Sequence, residues 1–370
     1  MSVAQSTPPA PADRSGAEAA RFMAAFAEAG ARPIEAAILQ EADLLLDLYG
    51  EDIRARAFTT WDPTAGEMML RPDFTVPVVR MHMDGGADPA RYCYSGPVFR
   101  RQETDPGRAR EYLQCGFELF DASDPARADA EVFALFAEVL RPYGLRAATG
   151  DIGILTAAVR GLDISDRRRA ALLRHVWRPR RFRALLDRFS GKTPVPQTRA
   201  ALLGAADPLA DAGPEIGLRS RGDVMARIEA LRADAEEPPI SSAQVALIDD
   251  ILELKETAPN VLAHLGDIAV DLPAIGDATA MLRARLDALD AAGVDVDALE
   301  FEASYGRTLM EYYDGFVFGF YAPHAPGQPP VATGGRYDAL TRVLGRGKSI
   351  PAVGGVIRPA LLPDPAETAT

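Results

Sequence analysis

The stretch Arg110–Asp121, REYLQCGFELFD, reads as a β-strand. Side chains in a strand alternate between faces, so Leu113, Cys115, Phe117 and Leu119 form one unbroken apolar row. The opposite row is Tyr112, Gln114, Gly116, Glu118 and Phe120. Tyr112 and Phe120 are poor company for water on that second face. If it is buried, Glu118 needs partners, because an unpaired buried charge is very costly. Gln114 lies about 13 Å from Glu118 along the strand. The two cannot serve each other, and the rest of the chain must explain them.

A chain of 370 residues can bury a substantial core, and two compact units are expected. No apolar run approaches the roughly 20 residues of a membrane span. Residues 1–16, MSVAQSTPPAPADRSG, are small, polar and proline-rich, which predicts a disordered tail and not a signal peptide. Cys93 and Cys115 both fall in apolar strand patterns and read as reduced core residues of a cytoplasmic protein. His82, His175, His264 and His324 show no metal-ligand spacing, so neither a metal site nor a cofactor is expected. The formal net charge of −13 runs against wrapping nucleic acid. One basic concentration stands out, Asp166–Lys192. A solvated helical face is its commonest meaning, ahead of a protein-binding face and an RNA-binding face.

Along the chain, residues 17–48 predict two helices separated at Gly30–Pro33. Strand-like runs follow in EMMLRPDFTVPVVRM and RYCYSGPVFR, and a helix is expected over 126–145. From about residue 163 to 260 strand signals vanish, and Ala, Leu, Arg and Asp dominate. After a helix at 277–292, strand signals return in LEFEASY, YYDGFVFGFYA, PVATGGRYDAL and IPAVGGVI, with a hairpin loop at Pro323–Pro330. The pattern is an α+β sheet domain interrupted by a mainly helical insertion. Expected boundaries are 17–162 and 262–370 for the sheet domain and 163–261 for the insertion.

Several polar groups share the apparent strand faces. Arg71, Asp73 and Thr75 fall on one face of LRPDFTVPVVR, and Arg100 follows a strand end. Tyr313, Gly315, Val317 and Gly319 share a face, where two glycines beside a tyrosine leave room for a ligand or a close backbone. Gly334 and Gly335 precede Arg336, Tyr337 and Asp338. Each signal is weak alone. Together they offer carboxylates, an amide, hydroxyls and a guanidinium, a set that would suit an α-amino acid.

The motifs LRPDFTVPVVR, YSGPVFRRQETDPGRAREYLQCGFELF, EYYDGFVFGFYA, GGRYDAL and PAVGGVI resemble the histidyl-tRNA synthetase catalytic domain in order and spacing. The resemblance covers about residues 17–160 and 262–362. It implies a class II synthetase fold, an antiparallel sheet flanked by helices, dimeric through its first motif. The departures from that family are specific. The second motif reads Phe99–Arg100–Arg101–Gln102, with an amide in place of the glutamate that helps hold ATP. In the third motif Ala360 and Leu361 stand where the phosphate-clamping arginine is expected. Thr308–Leu309–Met310–Glu311–Tyr312–Tyr313 lacks the arginine expected beside the reacting carboxylate, unless Arg307 substitutes by a shift. Ala37 takes the first-motif proline's place, and no anticodon-binding domain is expected after Leu362. Loss of a cation at developing phosphate charge costs several kcal/mol, so adenylate formation is not expected.

The resemblance leaves the amino-acid pocket in place. Thr75, Arg100, Gln114, Glu118, Tyr313 and Tyr337 match positions that bind histidine in the synthetase, and Asp73 replaces a glutamate. A retained pocket without ATP machinery is similar to the ATP phosphoribosyltransferase regulatory subunits. That family implies a non-catalytic protein assembled with the short-form catalytic subunit, with histidine as feedback effector and no tRNA. Two other classes stay open: a divergent synthetase-like ligase recruiting Arg100 and Arg358, and an RNA-binding module relying on Arg167–Lys192.

Overall fold

The computed structural model describes residues 11–42, 57–101, 109–210, 212–307, 312–323 and 327–363. Its strands are β1 (Arg32–Pro33), β2 (Leu39–Glu41), β3 (Thr59–Asp62), β4 (Gly66–Leu70), β5 (Ala90–Phe99), β6 (Glu111–Phe120), β7 (Arg146–Asp151), β8 (Lys255–Thr257), β9 (Glu300–Glu302), β10 (Phe316–Tyr321), β11 (Ala332–Arg336) and β12 (Ala352–Ile357). Its helices are α1 (Pro11–Glu28), α2 (Thr75–Met83), α3 (Pro125–Leu140), α4 (Ile152–Arg160), α5 (Asp166–Leu173), α6 (Pro179–Phe189), α7 (Gln197–Gly204), α8 (Arg221–Glu236), α9 (Ser242–Glu253), α10 (Ala258–Asp271), α11 (Gly276–Ala291) and α12 (Asp338–Leu344). The main sheet has nine strands in the order β1-β5-β6-β12-β11-β10-β7-β9-β8, and β2-β4-β3 form a second, smaller sheet. The six central strands are antiparallel throughout, whereas β1 joins β5, and β9 joins β7, in parallel. The fold class is α+β, with a mixed rather than purely antiparallel sheet.

The two faces of this sheet differ in chemistry. On one, Phe117 and Phe318 meet Phe26 of α1 and Phe133 and Phe136 of α3, with ring centroids 5.5–5.6 Å apart. Aromatic contact and burial make this face the main core. The other face pairs glycines with large polar side chains. In register, Gly96 faces Gln114, Tyr94 faces Gly116, and Gly354 faces Glu118. A Cβ at Gly116 would overlap the Tyr94 ring, and one at Gly354 would overlap the Glu118 carboxylate. These glycines serve close approach, not backbone freedom.

A buried ion network locks helices to this sheet. Asp129 of α3 accepts from Arg285 of α11 at 2.8 Å and from Arg336 of β11 at 2.7 Å. Arg285 also lies 2.9 Å from Asp151, and Arg336 lies 3.0 Å from Asp338. Asp129 has no solvent exposure, so this mutual pairing is what makes its charge tolerable.

Several expectations need correction. The run after Leu70 is a loop and then α2, so Arg71, Asp73 and Thr75 do not share a strand face. Its β-branched residues suit a strand, but Pro77 fits a first helical turn, and Thr75, Val76, Val78, Val79 and His82 are all buried. All-round burial hides the helical period. Helix is also absent over 34–41, where β2 forms, while 43–48 lie outside the described residues. Residues 11–16 belong to α1, whereas 1–10 of the expected tail, and 364–370 at the other end, lie outside the described residues. Tyr313 precedes β10, so only Val317 and Gly319 of that group occupy the strand. Regular elements from Asp166 to Glu253 are helical, yet β8, inside 163–261, pairs with β9 as an edge of the main sheet.

The basic stretch is partly used internally. Arg168 pairs with Asp234 and Glu237, Arg183 and Lys192 lie near Asp249, and Arg188 lies near Asp234. Among the described residues, no helix is long and apolar enough to cross a membrane.

Gly354→Ala is expected to lower unfolding free energy by about 1–3 kcal/mol, because the Glu118 niche cannot expand. Gly266→Ala, in exposed α10 with nothing near its added methyl, is expected to raise it by up to about 1 kcal/mol. Urea denaturation of both variants measures the contrast.

Candidate functional site

Glu118 is the centre of the glycine-bearing face. It has no solvent exposure, and three hydroxyls reach it from three elements. Thr75 at the start of α2 donates to Oε1 at 3.0 Å, and Tyr94 of β5 donates to the same oxygen at 2.8 Å. Tyr337, between β11 and α12, donates to Oε2 at 2.6 Å. Burial pushes Glu118 up to about 7 despite these three bonds, and the nearby charge of Asp73 adds to the rise. Burial likewise drives the Tyr94 and Tyr337 hydroxyls well above their usual range, with Glu118 reinforcing it. Both tyrosines therefore remain donors.

Gln114 marks the other end. It is fully buried, and neither its Oε1 nor its Nε2 has a hydrogen-bond partner. A buried polar group left unpaired costs about 1–3 kcal/mol, so this amide is primed for a ligand or water. Two guanidiniums stand at the same end. Arg100 donates Nε to the Pro72 carbonyl at 2.9 Å. Arg358, just past β12, donates to the Pro330 carbonyl at 3.0 Å and to Thr333 Oγ1 at 3.2 Å. Burial lowers the Arg358 pKa, and the neighbouring charge of Arg100 lowers it further. Two adjacent cations in a partly buried place favour an anion.

The structure brings the seven expected site residues to one face. Thr75, Glu118 and Tyr337 are directly bonded. Asp73 and Glu118 both act electrostatically on Tyr313, which also feels Arg358. Gln114 is two strand steps from Glu118, each step being one pair of residues, and Arg100 neighbours Arg358. Between Gln114 and Glu118, the Tyr94 ring fills the niche at Gly116.

Tyr94 and Tyr312 were not among the expected site residues, Arg71 entered only as a strand-face cation, and Arg358 entered only as a cation for a ligase. Tyr94 was detectable in principle from the alternation Tyr92–Cys93–Tyr94 opposite Gly116, but only with the strand register known. Arg71 holds the loop before α2, donating to the Pro97 carbonyl at 2.9 Å and to the Ala36 carbonyl. Its guanidinium lies 3.9 Å over the Phe74 ring.

The altered ATP motifs are only partly described. Gln102 and Thr308–Glu311 lie outside the described residues. Arg307, the arginine that could substitute by a shift, donates its Nε to the Val176 carbonyl at 2.7 Å. Ala360 and Leu361 occupy a short 3₁₀ turn, Pro359–Leu361.

This fold, with polar groups converging on the sheet face, defines a protein of the histidyl-tRNA synthetase class. A family model described as histidyl-tRNA synthetase matches residues 4–216 and 225–360. A solved structure from Bacillus halodurans, an ATP phosphoribosyltransferase regulatory subunit/histidyl-tRNA synthetase, aligns with a TM-score of 0.68 and 20% identity. The alignment covers 99% of this chain and 82% of that one and is a likeness of fold. The chain is 31% identical over 345 residues to the ATP phosphoribosyltransferase regulatory subunit of Brucella anthropi, covering 87% of this chain and 89% of that one. It is 32% identical over 356 residues to the regulatory subunit of Mesorhizobium japonicum, covering 91% and 94% respectively. The chain belongs to the ATP phosphoribosyltransferase regulatory subunit family.

Glu118 has a pH signature. Its pKa rises from 4.5 to about 7, so between those values the native state keeps a proton that the unfolded chain has released. Its stabilising contribution is fully present below about pH 4.5 and is lost as pH rises through about 7, about 3 kcal/mol in total. Glu118→Gln removes that dependence. The stability difference between variant and parent is therefore expected to change across this window and flatten on either side, as read by urea denaturation. A difference independent of pH would show that Glu118 keeps an ordinary pKa.

Proposed function

We propose that this chain is a non-catalytic regulatory subunit that binds histidine on the glycine-bearing face and transmits feedback to a short-form ATP phosphoribosyltransferase catalytic subunit. The observation that carries the reading is the unpartnered Gln114 amide, buried between the Glu118 hydroxyl cage and the Arg100–Arg358 pair. An amino acid spans that distance. Its carboxylate would lie near Arg100 and Gln114, its ammonium near Asp73 and Thr75, and its imidazole between Glu118 and Tyr313 and Tyr337. Feedback requires histidine to bind the inhibited state of the complex more tightly than the active one. The chain would act as a dimer in the cytoplasm, with the helices between Asp166 and Glu253 as an insertion in the sheet domain.

Calorimetric titration with histidine, of the chain alone and with the catalytic subunit, tests the sensor role. Gln114→Leu is expected to weaken histidine binding by about tenfold, the value of a charge-assisted hydrogen bond. Its folding stability is not expected to fall, because an unpaired buried amide is replaced by an apolar group of similar size. Absence of histidine heat under both conditions would falsify the sensor role. Light scattering of the mixed subunits reports assembly, and catalytic turnover with and without histidine reports feedback.

The adjacent guanidiniums Arg100 and Arg358 also suit a ligase that activates an amino acid with ATP. Histidine-dependent exchange of pyrophosphate into ATP separates the two readings, and none is expected.

A further inference from the structure

The helical insertion touches the candidate site through two hydrogen bonds from one short turn. Trp177, between α5 and α6, donates its indole N–H to the backbone carbonyl of Tyr313 at 3.0 Å. The carbonyl of the preceding residue, Val176, accepts from Arg307 at 2.7 Å. The Arg307 guanidinium lies 5.0 Å over the ring of Phe182 in α6 and is only 6% exposed. Its Nη2 has no partner, and burial, aided by the charge of Arg183, lowers its pKa to about 10. A desolvated and incompletely bonded cation is costly. It persists where surrounding packing leaves it no alternative, which makes this junction a defined contact and not a loose flap.

From Tyr313 the contacts run inward. Its ring occupies the niche at Gly335, where a Cβ would come within 2.8 Å of it. Tyr312 packs edge-on against Tyr313 at 4.9 Å and against Tyr337 at 6.2 Å. Tyr337 is bonded to Glu118. The rings of Tyr312, Tyr313 and Tyr337 are buried, and a close-packed chain of rings shifts between discrete arrangements rather than yielding gradually.

We propose that Trp177 is a positioning residue for the amino-acid site: its bond to Tyr313 holds the Tyr312–Tyr313 pair against Tyr337 and Glu118, so that filling the site and setting the insertion are coupled. This rests on the effector reading above. Coupling of this kind is reciprocal: a ligand that orders Tyr313 also fixes the Trp177 turn. The basic stretch Arg167–Lys192 then has a use, since it builds the helices that present Trp177 to the site.

The chain has two tryptophans, and Trp61, on β3, is 73% exposed and can be replaced safely. In Trp61→Phe, Trp177 emission is followed as histidine is added, with calorimetry in parallel. Emission is expected to change and saturate at the calorimetric dissociation constant. Trp177→Phe keeps a ring but loses the donor, and is expected to bind histidine about fivefold more weakly, the worth of one neutral hydrogen bond. Histidine binding accompanied by flat Trp177 emission, or by unchanged affinity in Trp177→Phe, overturns the coupling alone. No histidine heat from the unaltered chain, alone or with the catalytic subunit, overturns both the coupling and the effector reading. Should Trp177→Phe fail to fold, the emission titration decides.

Discussion

A carboxylate with no solvent exposure sets the terms for the central sheet. Glu118 can be buried only if donors surround it and if neighbouring strands leave space for it. Thr75, Tyr94 and Tyr337 supply the donors, from a helix start, a strand and a strand end. Gly354 supplies the space on β12, and Gly116 supplies it for Tyr94 on β6 itself. Changing any one of these disturbs the others, because each occupies volume that another has vacated. The opposite face also needs glycine space, at Gly334 for the Phe318 ring and at Gly355 for the Phe136 ring, but there the occupants are apolar. Its phenylalanines pack by shape and apolar area, and they tie α1 and α3 to the strands.

The ion network around Asp129 serves the same site from behind. Arg336 and Asp338 flank Tyr337 in sequence, and Arg336 pairs with both Asp129 and Asp338, which anchors the backbone on either side of that ring. Asp314 accepts from the backbone N–H groups of Asp338 and Ala339, at 3.0 and 2.6 Å, tying the segment after Tyr313 to the start of α12. Burial, with Asp338 adding, raises Asp314 to about 6. These contacts tie Tyr337 and the start of α12 to the sheet. Ala360 and Leu361 supply no cation at the third-motif position, and Arg307 donates Nε to the Val176 carbonyl.

Much of this was legible in the chain. The alternation in REYLQCGFELFD placed Gln114 and Glu118 on one strand face, and the return of strand signals after residue 290 enclosed a helical block. The motif resemblance named the seven residues that the fold gathers. What failed, failed for identifiable reasons. TVPVVRM is β-branched, and its burial on every side erased the helical period, so α2 read as a strand. The role of Gly116 could not be read, because register with Tyr94 is a property of two strands, not one. The internal pairings of the basic stretch were not legible, because its acidic partners Asp234, Glu237 and Asp249 lie more than 40 residues away along the chain.

The sequence by itself determined the strand periods, the helical character of the insertion, the family, and which side chains have the chemistry to hold an amino acid. These are local or inherited properties, readable from spacing and residue type. Only the tertiary structure decided who partners Glu118, that Gln114 is left unpaired, and that Arg307 bonds to Val176 while Trp177 bonds to Tyr313. Those outcomes depend on register and on contacts between segments from 24 to 219 residues apart, where volume and hydrogen bonding are settled jointly.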